Sequence, residues 1–155
     1  MAQLRSYTDL KEAIIVKLTA LEDAPSDKLF AVVSGTNEAD VDGYPAAFVI
    51  QTAGEGQVLD THRNEREWQF SVIIHQAITA SKNAEDADAI VLNAVDQVIK
   101  SFDEDPQFID PANDEGRVKL IKAVPIEIFP ADDQETAIHR ALITVASVAL
   151  VNRFA

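Results

Sequence analysis

The stretch that most constrains this chain runs from Tyr44 to Ile78, YPAAFVIQTAGEGQVLDTHRNEREWQFSVIIHQAI. Near its end Trp68, Phe70, Val72 and Ile74 alternate with Gln69, Ser71, Ile73 and His75. A period of two sends the first set to one face of a sheet and the second set to the other. The first set is wholly apolar and must face a core, so the alternation predicts a long strand over residues 64–76. Ahead of it, the apolar residues 46–51 read as a shorter partner strand. Gly54-Glu55-Gly56, inside the connection 52–57, offers the positive-φ positions that a tight connection uses. The expectation is a hairpin on which the sheet is built.

The remaining pattern arranges itself around that hairpin. Thr8 is placed to cap a first helix, with Asp9 and Glu12 near its positive end. Leu10, Ile14, Leu18 and Leu21 recur at helical spacing, and Pro25 marks the stop. Residues 29–33 suit a short strand, and 34–43 a polar, acidic loop. Ser81 to Asn83 offer caps for a second helix, in which Ile90, Ala94, Val98 and Phe102 form a stripe beside Val91, Val95 and Ile99. That helix should end before Asp105-Pro106. A strand follows from Arg117, where Pro125 and Pro130 point to a bulge and a sheet edge, and residues 137–151 form the last strand. Helices and strands do not alternate strictly. This predicts an α+β fold, a single domain over 1–155, with a largely antiparallel sheet of about five strands and two main helices on one face. Trp68, Phe70, Ile74, Ile90 and Val98 are the expected core.

Composition excludes several function classes. With 47% apolar residues the chain is globular, and with no cysteine it has neither a disulfide framework nor a thiolate ligand or nucleophile. The first ten residues, MAQLRSYTDL, lack the apolar run of a signal peptide, and the longest apolar run, 141–151, is too short to span a bilayer. No membrane partner is therefore expected. A net charge of −13 opposes binding to a phosphate backbone.

No catalytic residue, cofactor or metal site emerges. Glu38, Asp40 and Asp42 before Gly43 resemble part of a calcium loop, but Val49 falls where a bidentate Glu is required. His62, His75 and His139 are too scattered for a zinc site. Ser71 and His75 share a strand face but stand roughly 13 Å apart, too far for nucleophile and base. No glycine-rich phosphate loop precedes a helix.

Two features do not reduce to a plain globular domain. Glu38, Asp40 and Asp42, then Asp103, Glu104, Asp105, Asp110, Asp114 and Glu115, then Asp132, Asp133 and Glu135 place twelve carboxylates in three loop stretches that hold no Lys or Arg. Loops are also where charge is least costly, so solubility is the competing explanation. The last strand is apolar on both faces, with Leu142, Ile143, Val145, Val148, Leu150 and Val151. A sheet covered on one side should be polar on the other, so a second packing partner is implied: a curled sheet packing on itself, or another subunit, with Val145, Val148 and Leu150 as candidate contacts. Arg63, Arg66, Glu65 and Glu67 at the start of the long strand either form a cross-strand ladder or bridge to a neighbouring subunit. Exposed pairs stabilise by only about 0–1 kcal/mol, so a ladder would add little.

The order of elements, with Tyr44-Pro45 opening an apolar strand, resembles the tail terminator proteins of long-tailed bacteriophages. Asn64-Glu65-Arg66-Glu67-Trp68-Gln69-Phe70, the acid-rich start of the helix over 84–101, and the closing strands 117–129 and 137–151 carry the resemblance. It covers nearly the whole chain but has no invariant signature. It implies an α+β subunit that assembles as a homohexameric ring, caps the tail tube, stops its growth and joins it to the head. The implied partners are further copies of itself, the tail tube protein and head–tail connector or neck proteins. DNA passes through without specific binding, and no enzymatic role is implied. The implied location is the virion, in the tail near the head–tail joint, after synthesis in the host cytoplasm. Combined with the charge, the resemblance gives the acidic loops a role: Asp132, Asp133, Glu135, Asp40 and Asp42 become candidates for a bore that repels DNA over a Debye length of about 8–10 Å. Two alternatives are another phage neck or head–tail joining protein, and a small acidic module that masks a basic partner.

Overall fold

The computed structural model describes residues 7–36, 43–58, 63–79, 83–104, 118–129 and 138–152; along 53–58, 63–68, 118–129 and 146–152 the description is of the backbone. Helix α1 (Tyr7–Thr19) is followed by β1 (Glu22–Ala24), β2 (Asp27–Lys28), β3 (Val32–Ser34), β4 (Ala46–Val58) and β5 (Arg63–Ala77). Helix α2 (Ala84–Glu104), β6 (Val118–Phe129) and β7 (Ile138–Asn152) complete the order. Strands β1 and β2 form a small hairpin, and the other five form one sheet in the order β3-β4-β5-β7-β6. Only the short β3 runs parallel to its neighbour; every other pairing in the sheet is antiparallel. The fold is α+β, as the order of elements implies.

Helix α1 buries Leu10, Ile14 and Leu18 completely. It already includes Thr8, so Thr8 is a helical residue and not the cap expected of it. The helix ends well before Pro25. Leu21 N donates to Leu18 O (3.3 Å), which tightens the last turn, and Lys28 Nζ donates to the Thr19 carbonyl (3.0 Å). Carbonyls at a helix C-terminus lack intrahelical partners, and a lysine there also complements the dipole. Pro25 instead occupies the β1–β2 turn, where Ser26 adopts φ 71°. Proline followed by a positive φ is the combination a type II turn uses.

Asn83 caps α2 as the sequence suggests. Its Oδ1 accepts from Asp86 N (3.0 Å), and Asp86 Oδ2 accepts from Asn83 N (3.2 Å), a reciprocal capping box. Asn83→Ala should lower stability by about 1 kcal/mol, read as a shift in the urea midpoint at constant slope; an unmoved midpoint would mean water replaces the cap at no cost. The buried stripe of α2 is Ala87, Val91, Ala94, Val95, Val98 and Phe102. Ile90 flanks it half-buried, a correction to its expected place in the core.

The hairpin is longer than the sequence suggests. Gly54, Glu55 and Gly56 are not a turn: they pair with Trp68, Glu67 and Arg66 inside β4, beyond a register shift between Gln51 and Ala53. The physical reason is pairing. A short partner would leave half of the N–H and C=O groups along that edge of β5 without their ladder. The edge expected from the prolines is found, since β6 borders the sheet and its register shifts between Pro125 and Glu127.

Both helices pack on one face of the sheet, α1 over β3 and β4, and α2 over β5, β6 and β7. Their apolar stripes meet Ala47 and Val49 of β4, Phe70, Val72 and Ile74 of β5, and Ala141, Ile143 and Val145 of β7 in one core. The expectation that Phe70, Ile74 and Val98 are core residues holds, each with zero exposure. The side chain of Trp68 lies outside the described residues.

Candidate interaction face

Residues of opposite parity form the back of the sheet, away from the helices. The register places Ala46, His75 and Arg140 side by side in one row, Phe48, Ile73 and Leu142 in the next, and Ile50, Ser71 and Thr144 in a third. Phe48 and Ala46 have zero exposure, Ser71 and His75 are buried, and Ile50, Ile73, Leu142 and Thr144 are half-buried. The expectation of two apolar faces on the last strand therefore resolves by parity. Ala141, Ile143 and Val145 enter the helix-covered core, whereas Leu142 and Thr144 belong to the back. A single chain already shields part of that back face.

His75 is the electrostatic centre of the back face. Its ring meets Phe48 edge-on, with centroids 5.1 Å apart and planes at 64°. Arg140 Nε donates to His75 Nε2 at 3.1 Å, so that nitrogen must be unprotonated. Burial, and then the nearby Arg140 charge, push the His75 pKa down from 6.5 to about 4. The unfolded chain therefore takes up a proton near pH 6.5 that the folded chain refuses until about pH 4. Above pH 6.5 the group contributes nothing to the pH dependence; between 6.5 and 4 it lowers stability as the pH falls. From pH 7 to 4.5 this loss amounts to about 2–3 kcal/mol. His75→Gln, which cannot titrate, should lose that much less over the same interval in urea unfolding. Equal losses in both proteins would mean that carboxylates alone set the acid limit.

On the helix side, His139 and Gln76 are cross-strand partners and are both buried. His139 Nε2 lies 3.0 Å from Asp88 Oδ1 of α2, tying helix to sheet. Gln76 Nε2 donates to Ala77 O (2.9 Å). A cleft of about 250 Å³ lies between the ends of the helices, lined by Lys17, Leu21, Gln97, Lys100, Ser101 and Glu104. Among the described residues, no three His, Asp or Glu converge to hold a metal, and no helix is long and apolar enough to cross a membrane. Val49, which occupies the decisive position of the failed calcium pattern, is fully buried in β4.

The residues singled out from sequence fall in three places. Val145 lies in the core with zero exposure, so in the folded chain it has no surface to offer a neighbour. Arg63, Arg66 and Glu67 lie on β5 opposite Asn152, Ala149 and Val148 of β7, and Leu150 pairs with Glu65. These contribute backbone to the description, and their side chains lie outside it. Asp40, Asp42, Asp132, Asp133 and Glu135 lie outside the described residues altogether.

Strand length separates this distal part from the rest. Strands β5 and β7 have 15 residues each and pair throughout, from Arg63↔Asn152 to Ala77↔Ile138. At about 3.3 Å per residue they span roughly 50 Å, whereas the 21-residue α2 spans only about 32 Å. The ribbon is longer than the helix that packs on it. No family model matches the chain, and no curated protein matches it significantly.

Proposed function

We propose that this chain is a structural subunit of a long-tailed phage, a tail terminator whose copies form a ring that caps the tail tube and joins it to the head. The observation that carries the reading is the pair of 15-residue strands that outrun their helix. A ribbon of that length costs backbone ordering at every residue and is best repaid where a neighbour covers it. The α+β subunit, the resemblance along nearly the whole chain and the charge of −13 support the same reading. In it the partners are other copies, the tube protein and a neck or connector protein, and the location is the tail near the head–tail joint. In this reading the role is structural and calls for neither a cofactor nor a catalytic step.

Light scattering on the purified protein gives its mass, and negative-stain imaging gives its shape. A closed ring of about six copies supports the proposal. The acidic composition favours a second reading, a monomeric module that masks a basic partner; a monomer that captures a basic protein in stoichiometric amount would establish it and remove the first. A ring of this kind must let DNA pass without holding it. Lysines on its wall would neutralise phosphates and release counterions, making contact favourable and passage slow. Asp132→Lys with Asp133→Lys should therefore yield normal particle numbers by microscopy but slower or incomplete DNA release. Asp40→Lys with Asp42→Lys is the comparison. Unchanged release from both pairs, with particles intact, would leave solubility as the reason for the charge.

A further inference from the structure

The register of the distal ribbon decides between the two readings of its charged residues. From Phe70 toward its start, β5 places Trp68 and Arg66 on the helix side of the sheet, the parity of Phe70. Glu67, Glu65 and Arg63 fall on the far side, the parity of Ser71. Arg66 stands between Gly56 and Ala149, Glu65 between Gln57 and Leu150, and Glu67 between Glu55 and Val148, while Arg63 is opposite Asn152. None of these positions has an opposite charge across the strands, so the register rules out a cross-strand ladder. Glu55 and Glu67 are instead directly opposed, and like charges so placed are destabilising.

The two sides of the ribbon differ in charge. On the helix side beyond Phe70, Arg66 is the only charged residue that β4, β5 and β7 supply. On the far side the same strands place Glu55, Glu65 and Glu67 against Arg63 alone, with Lys122 of β6 opposite Ala146 at the ribbon's base. Helix α2 does not reach the row of Arg66. Asp88 Oδ1 lies 3.0 Å from His139 Nε2, which fixes the start of the helix at the start of β7. From Asp88 to Glu104 the helix rises about 24 Å, the length of about seven strand residues. Even if it ran parallel to β7 it would end near Ala146, short of Ala149, which is the partner of Arg66.

We propose that the helix side of one copy's ribbon docks on the far side of the next copy's, with Arg66 set against the Glu55–Glu67 pair. Two chains of charge −13 repel one another overall, so a stable contact between them needs a local site where opposite signs meet. Both halves of such a site lie on this one chain, on opposite sides of one ribbon. A guanidinium pairs strongly with carboxylates, and one set between Glu55 and Glu67 offsets their repulsion. Gly56 and Ala149, on either side of Arg66, put little bulk in the way of a second ribbon. The contact joins unlike surfaces, and repeated contacts of unlike surfaces close into rings when the rotation allows. The inference rests on the ring reading and names the two surfaces that would build it.

The test uses Arg66→Glu and a second variant carrying both Glu55→Lys and Glu67→Lys, with circular dichroism to confirm folding and sedimentation to read mass. Each alone should associate about thirtyfold or more weakly than the unaltered protein, as expected when one partner of a docked charge pair is removed. Mixed in equal amounts, the two should associate again, because each brings the surface the other lacks and the altered surfaces are themselves opposite in charge. If either fails to fold, Arg66→Gln and the pair Glu55→Gln with Glu67→Gln take their place, and mixing then restores one junction per pair of chains. A ring that persists unchanged in Arg66→Glu or Arg66→Gln overturns the proposal. Variants that are each monomeric and remain so when mixed overturn the pairing of the two sides. Both of those results leave the ring reading standing, whereas a monomer from the unaltered protein at every concentration and salt tested overturns the ring and the docking together.

Discussion

Phe70→Ala should lower the stability of the folded chain by about 3–5 kcal/mol, the range for removing a fully buried aromatic ring. Phe70 has zero exposure and sits on the middle strands of the sheet, opposite Gln51 of β4 and Val145 of β7. The core it belongs to receives Leu10, Ile14 and Leu18 from α1 and Val95, Val98 and Phe102 from α2. Truncation removes the ring and leaves a cavity that neither helix can fill without moving off the other strands. A domain of this size is typically stable by about 5–15 kcal/mol, so the change takes a third or more of the total. Urea unfolding followed by the far-ultraviolet signal measures it directly. Ile73→Ala is the control, because Ile73 is only half-buried on the opposite face, and it should cost about half as much or less. If Phe70→Ala left the midpoint where it was, the assignment of the two sheet faces would be wrong.

That assignment was legible because alternation is a local property. Phe70, Val72 and Ile74 point one way and Ser71, Ile73 and His75 the other, whatever the rest of the chain does. The apolar stripe of α2 was legible for the same reason, although burial centres on Val91, Val95 and Val98 and leaves Ile90 at its flank. Where a local signal competed with a tertiary demand, the tertiary demand won. Glycines at 54 and 56 carry a turn signal, yet β5 needs a partner along its length and draws them into β4. The position of β7 between β5 and β6 could not be read, since strand order in a sheet depends on packing and not on chain order. The hydrogen bond from Arg140 to His75 had no trace in the sequence. It joins residues 65 positions apart and exists only because the β5–β7 register sets them opposite one another.

The same register separates two substitutions three residues apart on β7. Val145→Lys inserts an ammonium group into the helix-covered core, where Val145 has zero exposure. An unpaired buried charge costs several kcal/mol even after the surroundings relax, so this variant should be largely unfolded or strongly destabilised. Leu142 has the opposite parity and is half-buried on the back of the sheet, beside Ile73. A lysine there can lay its methylenes along the sheet and carry its charge outward, so Leu142→Lys should cost about 1–2 kcal/mol and stay folded. If a neighbouring copy covers the back face, Leu142→Lys should nonetheless abolish assembly, because burying a charge between subunits without a partner is as unfavourable as burying it within one. Thermal melting and light scattering on both variants separate the outcomes. A folded, monomeric Leu142→Lys beside an unfolded Val145→Lys is the expected pair. Unfolding of both would make each face of β7 part of the chain's own core and would move the interface to the distal ribbon, where Arg63, Arg66 and Glu67 lie. A folded Leu142→Lys that still assembles would likewise clear the back face of any subunit contact.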